Sequence, residues 1–158
     1  MADDTYTVER SVQIAAPPER IYEQIVDFHN WTNWSPWEDR DPDLKRTYSG
    51  SEAGPGAVYG WSGNRKAGQG RMEITGTEEP KRVTIALRFE KPFKSSSETT
   101  FLLEPDGPGT KVTWRMVGPS SAMTKIMGLF TSMDKMIGPD FEKGLAQLKS
   151  VAEHPASD

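Results

Sequence analysis

Two carboxylates are candidates for proton transfer. Asp134 follows Phe130 by four residues and precedes Ile137 by three, which places it on or near the apolar face of a predicted helix. A carboxylate held there could accept a proton or anchor a ligand, whereas a solvated position beside Lys135 is the alternative. Glu38 follows a tryptophan-rich segment and could supply polarity at the mouth of a site. A general base must reach its substrate within hydrogen-bond distance, and these two are the only catalytic candidates.

Other kinds of catalytic and cofactor chemistry have little support. The chain contains no cysteine and no Gly-x-Ser-x-Gly elbow, and its two histidines, His29 and His154, lie far apart in sequence. We therefore expect no metal site, and we expect His29 to cap or pack a short helical connection. The segments 54–56, 68–70 and 107–109 each pair two glycines, but none fits a dinucleotide fingerprint or a P-loop. They predict turns and a close strand approach, so no cofactor is expected.

Composition limits the remaining function classes. The 158 residues are 35% hydrophobic and 27% charged, which fits one domain with a hydrophobic core. The formal net charge is −4, and the basic residues are scattered, so nucleic acid is not an expected partner. The N-terminus lacks the features of a signal peptide, and no run of 18 apolar residues occurs, so we expect a cytoplasmic protein without stable membrane insertion.

Large aromatic and methionine side chains form the main set of candidate ligand-binding residues. Apolar walls with a few placed polar groups are typical of small-molecule sites, and methionine adapts to ligands of irregular shape. For each residue the alternative is packing in a filled core. Trp34 and Trp37 could form the lip of an entrance, or one ring could plug the core. The predicted set is Trp34, Trp37, Tyr59, Trp61, Phe89, Phe101, Trp114, Met116, Met123, Met127 and Phe130.

The first elements that must position these side chains are a strand and two short helices. Apolar and polar residues alternate over residues 5–14, which predicts a half-buried strand, although Arg10 interrupts its apolar face. Residues 16–19, Ala-Pro-Pro-Glu, predict a helix start, since proline fits the first turn and an acid favours the positive helix end. In residues 28–37 we expect a short helix and then an ordered loop, because Pro36 opposes a continuous helix.

The middle of the chain predicts an antiparallel meander. From residue 44 to 117 short alternating segments are separated by glycine and proline turn signals. The inward register is taken by Met72, Ile74, Leu87 and Phe89. The intervening charges Arg71, Glu73 and Arg88 are therefore expected to face water, and an inward salt-bridged pair at a cavity mouth is the alternative.

The last predicted element is a long amphipathic helix over residues 121–152. Its apolar residues recur at steps of three and four, and at about 1.5 Å per residue it would be roughly 45 Å long, enough to cover the sheet. Pro139 cannot donate a hydrogen bond to the carbonyl of Lys135, so a kink is expected there.

Four segments carry a resemblance to a known family. They are Val12–Tyr22 at the strand-to-helix entry, Trp34–Trp37, Gly109–Trp114 on a late strand, and Phe141–Lys149 in the terminal helix. With these segments the chain resembles the START-related (SRPBCC) superfamily, and within it the polyketide cyclase/dehydrase-like bacterial proteins, over residues 5–152. The resemblance implies an α+β helix-grip fold like that of the birch-pollen allergens, with a curved antiparallel sheet around the terminal helix. It also implies a single START-like domain spanning residues 1–158.

The resemblance leaves several functions open, because fold alone does not settle function. Members of the superfamily include lipid carriers, sterol binders, hormone receptors and aromatic cyclases. The leading hypothesis is a module that binds or carries a hydrophobic small molecule such as a lipid, an isoprenoid or a polyketide. The first alternative is an enzyme of the cyclase/dehydratase kind. The second is a partner-binding domain with a filled interior and an exposed tryptophan patch near residues 31–37.

Overall fold

The computed structural model describes residues 5–36, 43–64, 68–91, 95–119 and 129–154. The order of elements follows the predicted one: a strand, two short helices, a strand meander and a long terminal helix. The elements are β1 (Thr5–Ile14), α1 (Pro18–Val26), a 3-10 helix (Phe28–Asn33), β2 (Lys45–Gly50), β3 (Ala57–Ser62), β4 (Gln69–Glu78), β5 (Arg82–Lys91), β6 (Ser95–Asp106), β7 (Gly109–Pro119) and α2 (Leu129–Glu153).

The seven strands form one antiparallel sheet. Their order is β1-β7-β6-β5-β4-β3-β2, so the chain runs from β2 to β7 as a meander and β1 closes against the last strand. This confirms the predicted helix-grip architecture. Arg71 and Arg88 lie opposite each other and are exposed, and Arg71 pairs with Glu73 at 3.5 Å, so these charges face water as predicted.

The two short helices are joined through tryptophan side chains. Pro18 is the first residue of α1, and Asp27 caps the 3-10 helix by accepting a hydrogen bond from the His29 backbone N–H at 2.9 Å. The indole N–H groups of Trp31 and Trp34 donate to the carbonyls of Ile25 and Gln24 at 2.8 and 3.0 Å. The last carbonyl groups of a helix have no hydrogen-bond donors within the helix. The two indole N–H groups supply donors to these carbonyls at the end of α1, and both rings are buried in the core.

The described part of the long terminal helix is α2, and the predicted start at residue 121 lies outside the described residues. It runs from Leu129 to Glu153 through Pro139 without interruption, and its 25 residues span roughly 38 Å. Residues 120–128 lie outside the described residues, and the kink expected at Pro139 stays a prediction. The helix lies chiefly along β1, with smaller contacts to α1, β7 and the 3-10 helix. No helix in the described ranges has the length and apolar content needed to cross a membrane.

The C-terminal end of α2 is fastened to the connection between β1 and α1. The Glu153 carboxylate accepts a hydrogen bond from the Ala15 backbone N–H at 2.7 Å and also contacts the Lys149 ammonium. Arg20 donates to the Ala152 carbonyl at 3.0 Å. One turn further back, Gln147 donates to the Trp34 carbonyl. These bonds fix the distance between the helix and the 3-10 segment.

Candidate ligand-binding site

Side chains on the concave face of the sheet form rows that cross the strands. Because successive residues of a strand point to opposite faces, residues in register across neighbouring strands share a face. One row contains Val8, Met116, Thr99, Ile85 and Ile74, and all five are at most 4% exposed. The next contains Trp114, Phe101 and Val83, which are at most 2% exposed. We call these two rows, with the part of α2 that covers them, the packed end.

Aromatic rings fill the packed end. The Trp114 ring stacks on Phe141 of α2 with centroids 4.1 Å apart and planes inclined by 8°. Phe101 lies 4.9 Å from the Trp114 ring, and Trp34 meets it edge to face at 5.6 Å. A Cβ atom added at Gly144 would lie 2.8 Å from the Trp114 ring, so the glycine lets α2 approach the sheet. The side chains at this end therefore pack directly against one another.

Three predicted ligand-binding residues, Phe101, Trp114 and Met116, lie at the packed end, and a fourth, Trp34 at the end of the 3-10 helix, contacts the first two. Trp34 is 1% exposed, so of its two predicted roles it takes that of a core plug. Trp114 and Met116 face α2 and the core, with exposures of 2% and 4%.

The other end of the concave face is less completely covered. One row runs from Tyr6 through Gly118 on β7 and Ser97 on β6 to Leu87, Met72, Tyr59 and Tyr48, and a second contains Phe89, Gly70 and Trp61. Tyr59 is 7% exposed, whereas Tyr6, Tyr48, Trp61, Met72, Leu87, Phe89 and Ser97 are only partly buried. We call these two rows the half-buried end. Three predicted ligand-binding residues, Tyr59, Trp61 and Phe89, lie here.

The rings of the half-buried end form a continuous aromatic surface. The Tyr59 and Trp61 rings are stacked at 6.1 Å with an interplanar angle of 21°, and Trp61 meets Phe89 edge to face at 5.4 Å. Tyr48 lies 5.4 Å from Tyr59 and stacks on His29 at 4.1 Å. His29 therefore packs against the sheet, consistent with its predicted structural role.

Glycine makes room for two of these rings. Gly70 lies directly opposite Trp61, and a Cβ atom there would lie 2.7 Å from Cη2 of the indole and 2.4 Å from the Arg88 carbonyl oxygen. Gly118 lies opposite Tyr6, and a Cβ atom there would lie 2.7 Å from the tyrosine hydroxyl. Each ring thus lies across the neighbouring strand, which is a known way of covering a glycine in a sheet.

Tyr6 places a polar group at the half-buried end. Its hydroxyl lies over Gly118 and hydrogen-bonds the side chain of Ser97. Burial raises the pKa of Tyr6, and the bond to Ser97 opposes that shift only in part, so the phenol stays neutral at physiological pH. Neither Tyr6 nor Ser97 is among the residues predicted from the sequence. The alternating pattern of β1 indicates that Tyr6 faces the interior. Its contact with Ser97 cannot be predicted from that pattern, because it depends on the order of β1, β7 and β6 in the sheet.

The described part of the concave face offers no carboxylate base. None of the described strand residues with inward register is Asp, Glu or His. Arg10 takes an inward position, where its Nε lies 2.8 Å from Glu142 of α2 and its guanidinium contacts Gly138. The interruption that Arg10 makes in the apolar face of β1 is therefore compensated by an ion pair with the helix.

Several predicted site residues cannot be placed. Glu38, Trp37, Met123 and Met127 lie outside the described residues. Phe130 and Asp134 belong to α2, but their side chains lie outside the described part of the structure.

Two depressions occur away from the concave face. One, of about 430 Å³, lies on the convex face, and its arginines already have acidic partners: Arg115 contacts Glu9 at 2.6 Å and Arg82 contacts Glu78 at 3.1 Å. The other, of about 310 Å³, lies between the 3-10 helix and α2 beside Gln147. Both are mainly polar or charged at their rims and do not match the predicted apolar chemistry.

Comparison with solved structures identifies close matches of fold. A protein from Thermobifida fusca is 22% identical with a TM-score of 0.68, covering 90% of either chain. Ara h 8.0201 is 11% identical with a TM-score of 0.68, covering 94% of this chain and 97% of its own. DynU16, a putative protein in the dynemicin biosynthetic locus, is 15% identical with a TM-score of 0.63, covering 96% of this chain and 48% of its own. At these identities the likeness establishes the fold.

The family assignment rests on the sequence match. The model of the family described as polyketide cyclase/dehydrase and lipid transport matches residues 5–153, which include every element from β1 to α2. No protein with a curated description matches the chain. The chain therefore belongs to the polyketide cyclase/dehydrase and lipid transport family, within the START-related (SRPBCC) superfamily.

Proposed function

We propose that this protein binds and carries a hydrophobic small molecule at the half-buried end of its concave face, in the cytosol. The observation that supports the proposal is the contrast within one face of one sheet. The apolar residues and Thr99 of the two rows at the packed end are at most 4% exposed, whereas Trp61, Phe89, Met72 and Leu87 keep part of their surface accessible. A contiguous surface of this kind is typical of a ligand-binding groove.

The ring geometry suits a flat or elongated apolar ligand. Trp61 and Phe89 meet edge to face, so they offer two surfaces at right angles, and Met72 and Leu87 form the floor between them and Ser97. A ligand that buries about 300 Å² of apolar surface gains roughly 7 kcal/mol at about 25 cal/mol per Å², and the cost of immobilising the ligand is subtracted from this gain.

The cyclase/dehydratase alternative needs a general base. The described inward positions of the strands supply hydroxyl and guanidinium groups but no carboxylate, so this alternative depends on Asp134 and Glu38. The partner-binding alternative called for an exposed tryptophan patch near residues 31–37. Trp31 and Trp34 are 4% and 1% exposed and contact the core, which disfavours that alternative for these two rings.

Native mass spectrometry of the purified protein, with organic extraction of whatever co-purifies, tests the proposal. We expect a stoichiometric apolar molecule in the wild type and its loss in Trp61→Ala and Phe89→Ala. Val151→Ala is the matched control, because Val151 is also a partly buried apolar residue but lies on α2 beside the second depression. Empty wild-type protein that also fails to bind a panel of lipids, isoprenoids and polyketides would contradict the proposal, as would equal loss in Val151→Ala.

A further inference from the structure

We propose that the half-buried end selects apolar molecules that carry a neutral carbonyl or hydroxyl oxygen, and that the hydroxyl pair of Tyr6 and Ser97 binds that oxygen. The inference rests on the proposed function and adds the chemistry of the ligand to it. The observation that supports it is that Tyr6 and Ser97 lie in the same row on the concave face.

The pair is held in place by the sheet. Tyr6 is on β1, Ser97 on β6, and β7 passes between them with Gly118 opposite Tyr6. Because Gly118 has no side chain, the tyrosine ring lies across β7 and its hydroxyl reaches the Ser97 side chain. Any larger residue at position 118 would occupy the site of the hydroxyl. The arrangement therefore depends on three strands at once and is not a chance contact of mobile side chains.

The pair can donate one more hydrogen bond. Two hydroxyl groups carry two protons, and a bond between them uses one. Within the described part of the chain, neither hydroxyl makes a second hydrogen bond to a protein group. The remaining proton is therefore available to an oxygen that arrives on the concave face. A polar group that is partly buried gains more from such a bond than an exposed one, since its alternative is incomplete hydration.

The neighbours of the pair define the rest of the ligand. Ser97 lies directly opposite Leu87, and Leu87 lies opposite Met72 in the same row, followed by Tyr59 on β3. At about 4.8 Å between strands, the distance from Ser97 to the aromatic rings of β3 is roughly 14 Å along the sheet. A ligand of two fused rings with its oxygen at Ser97 reaches about half of this path, over Leu87 and Met72, and a longer chain reaches the rings of β3.

The surroundings favour a neutral oxygen over a carboxylate. The described side chains of this row are aromatic, aliphatic or hydroxyl-bearing, and none is cationic. Two arginines have inward register nearby. Arg10 on β1 is two rows away and already pairs with Glu142 at 2.8 Å. Arg46, opposite Trp61, is exposed and lies on the edge strand β2, four strands from Ser97, which is roughly 19 Å at about 4.8 Å per strand. A carboxylate placed against the pair would be desolvated without a charged partner, which is costly.

Isothermal titration with three matched naphthalenes tests the inference: 2-acetylnaphthalene, 2-ethylnaphthalene and 2-naphthoate. They share the ring system and differ in having a carbonyl, no oxygen or a carboxylate. For the wild type we expect the ketone to bind about fivefold to tenfold more tightly than the hydrocarbon, which is the effect of one hydrogen bond. We expect the carboxylate to bind more weakly than the ketone.

Substitutions at Tyr6 and Ser97 test whether these two hydroxyl groups cause the preference for the ketone over the hydrocarbon. Tyr6→Phe should reduce binding of the ketone to the level of the hydrocarbon and leave the hydrocarbon affinity unchanged, and Ser97→Ala should act in the same direction. Tyr22→Phe is the matched control, because it removes a tyrosine hydroxyl from a buried residue of α1. It should keep the ketone preference.

The outcomes separate this inference from the proposed function. Equal affinity of the wild type for ketone and hydrocarbon, or an unchanged preference in Tyr6→Phe, would overturn the inference and leave the proposed function standing. Failure of the wild type to bind any of the three compounds would contradict both. A preference lost equally in Tyr22→Phe would show a general effect of hydroxyl removal and would also overturn the inference.

Discussion

The two ends of the concave face are built from the same kinds of residue but differ in packing. At the packed end Trp114 contacts Phe141, Phe101 and Trp34, and it is 2% exposed. At the half-buried end Trp61 contacts Tyr59 and Phe89 and remains partly accessible. The presence of an aromatic residue on a strand therefore does not by itself indicate a ligand-binding position. The two tryptophans differ in burial, because α2 and Trp34 cover Trp114, whereas Trp61 is only partly buried.

Fastening of the helix explains the difference in part. Gly144 and Phe141 bring α2 against Trp114, and Gln147 and Glu153 tie the end of the helix to the loops beside it. The described contacts of α2 thus cover the packed end, and the half-buried end is the part that we propose for binding.

The largest expected difference is between two tryptophan truncations. Trp114→Ala removes a ring in contact on several sides, and we expect it to lower the free energy of unfolding by about 3–5 kcal/mol. Trp61→Ala should cost only about 1–2 kcal/mol, because the ring is partly exposed. Chemical denaturation of both variants measures the difference. Equal losses would show that the two ends are packed alike.

Glycine substitutions give the next largest effect and compare two positions within the half-buried end. A Cβ atom at Gly70 would lie 2.4 Å from a backbone carbonyl oxygen, whereas one at Gly118 would meet only the outer part of the Tyr6 ring. We expect Gly70→Ala to destabilise the fold by about 1–3 kcal/mol. Gly118→Ala should cost about 1 kcal/mol or less, because the tyrosine can rotate away. Thermal unfolding checks the order, and a more stable Gly70→Ala variant would contradict the geometry of this end.

The stability of the protein at alkaline pH should depend on Tyr6 at the half-buried end. Burial raises the pKa of Tyr6 above its ordinary value of 10.0, so folding favours the neutral phenol. That contribution is complete below pH 10 and is lost as the pH rises through the raised pKa of the folded protein. In Tyr6→Phe the decline in stability above pH 10 should be shallower than in the wild type. Denaturant titrations between neutral pH and pH 11 measure this slope, and identical slopes would exclude a buried phenol.

The smallest expected effect is that of acid pH on the hydrogen bond between the end of α2 and the β1–α1 connection. The hydrogen bond from the Ala15 backbone, followed by that from Lys149, lowers the pKa of Glu153 below its ordinary value of 4.5. Its contribution is therefore present above pH 4.5 and is lost as the pH falls through the lowered pKa. Glu153→Gln should weaken the dependence of stability on pH in this range. Glu142→Gln, which removes an exposed carboxylate from the same helix, allows comparison with the Arg10 ion pair. If the wild type and Glu153→Gln lose stability in parallel on acidification, the Glu153 bond does not form in solution.

Local patterns in the sequence predicted most of the fold. Alternation identified β1 with the observed bounds, Pro18 identified the start of α1, and the turn glycines identified the meander. These features depend on residues close together in the chain. The contrast between the two ends does not, because Trp114 and Trp61 have the same strand pattern. Which of them is sealed depends on where α2 and the 3-10 helix lie.

The polar pair illustrates the same limit. Tyr6 and Ser97 are 91 residues apart, and their contact requires β7 to lie between β1 and β6 with a glycine at the crossing point. No local pattern in the sequence indicates that arrangement. The size of an aromatic side chain does not distinguish the two ends, and Tyr6 lies in an ordinary strand pattern that does not indicate a polar contact.

Methyl NMR during titration with 2-ethylnaphthalene tests the central claim most directly. Methionine, leucine and valine methyl groups lie at both ends, with Met72 and Leu87 at the half-buried end and Met116 and Val83 at the packed end. We predict progressive, saturable shifts for Met72 and Leu87 and little change for Met116 and Val83. Shifts confined to Met116 and Val83, or no shifts at all, would contradict the assignment of binding to the half-buried end.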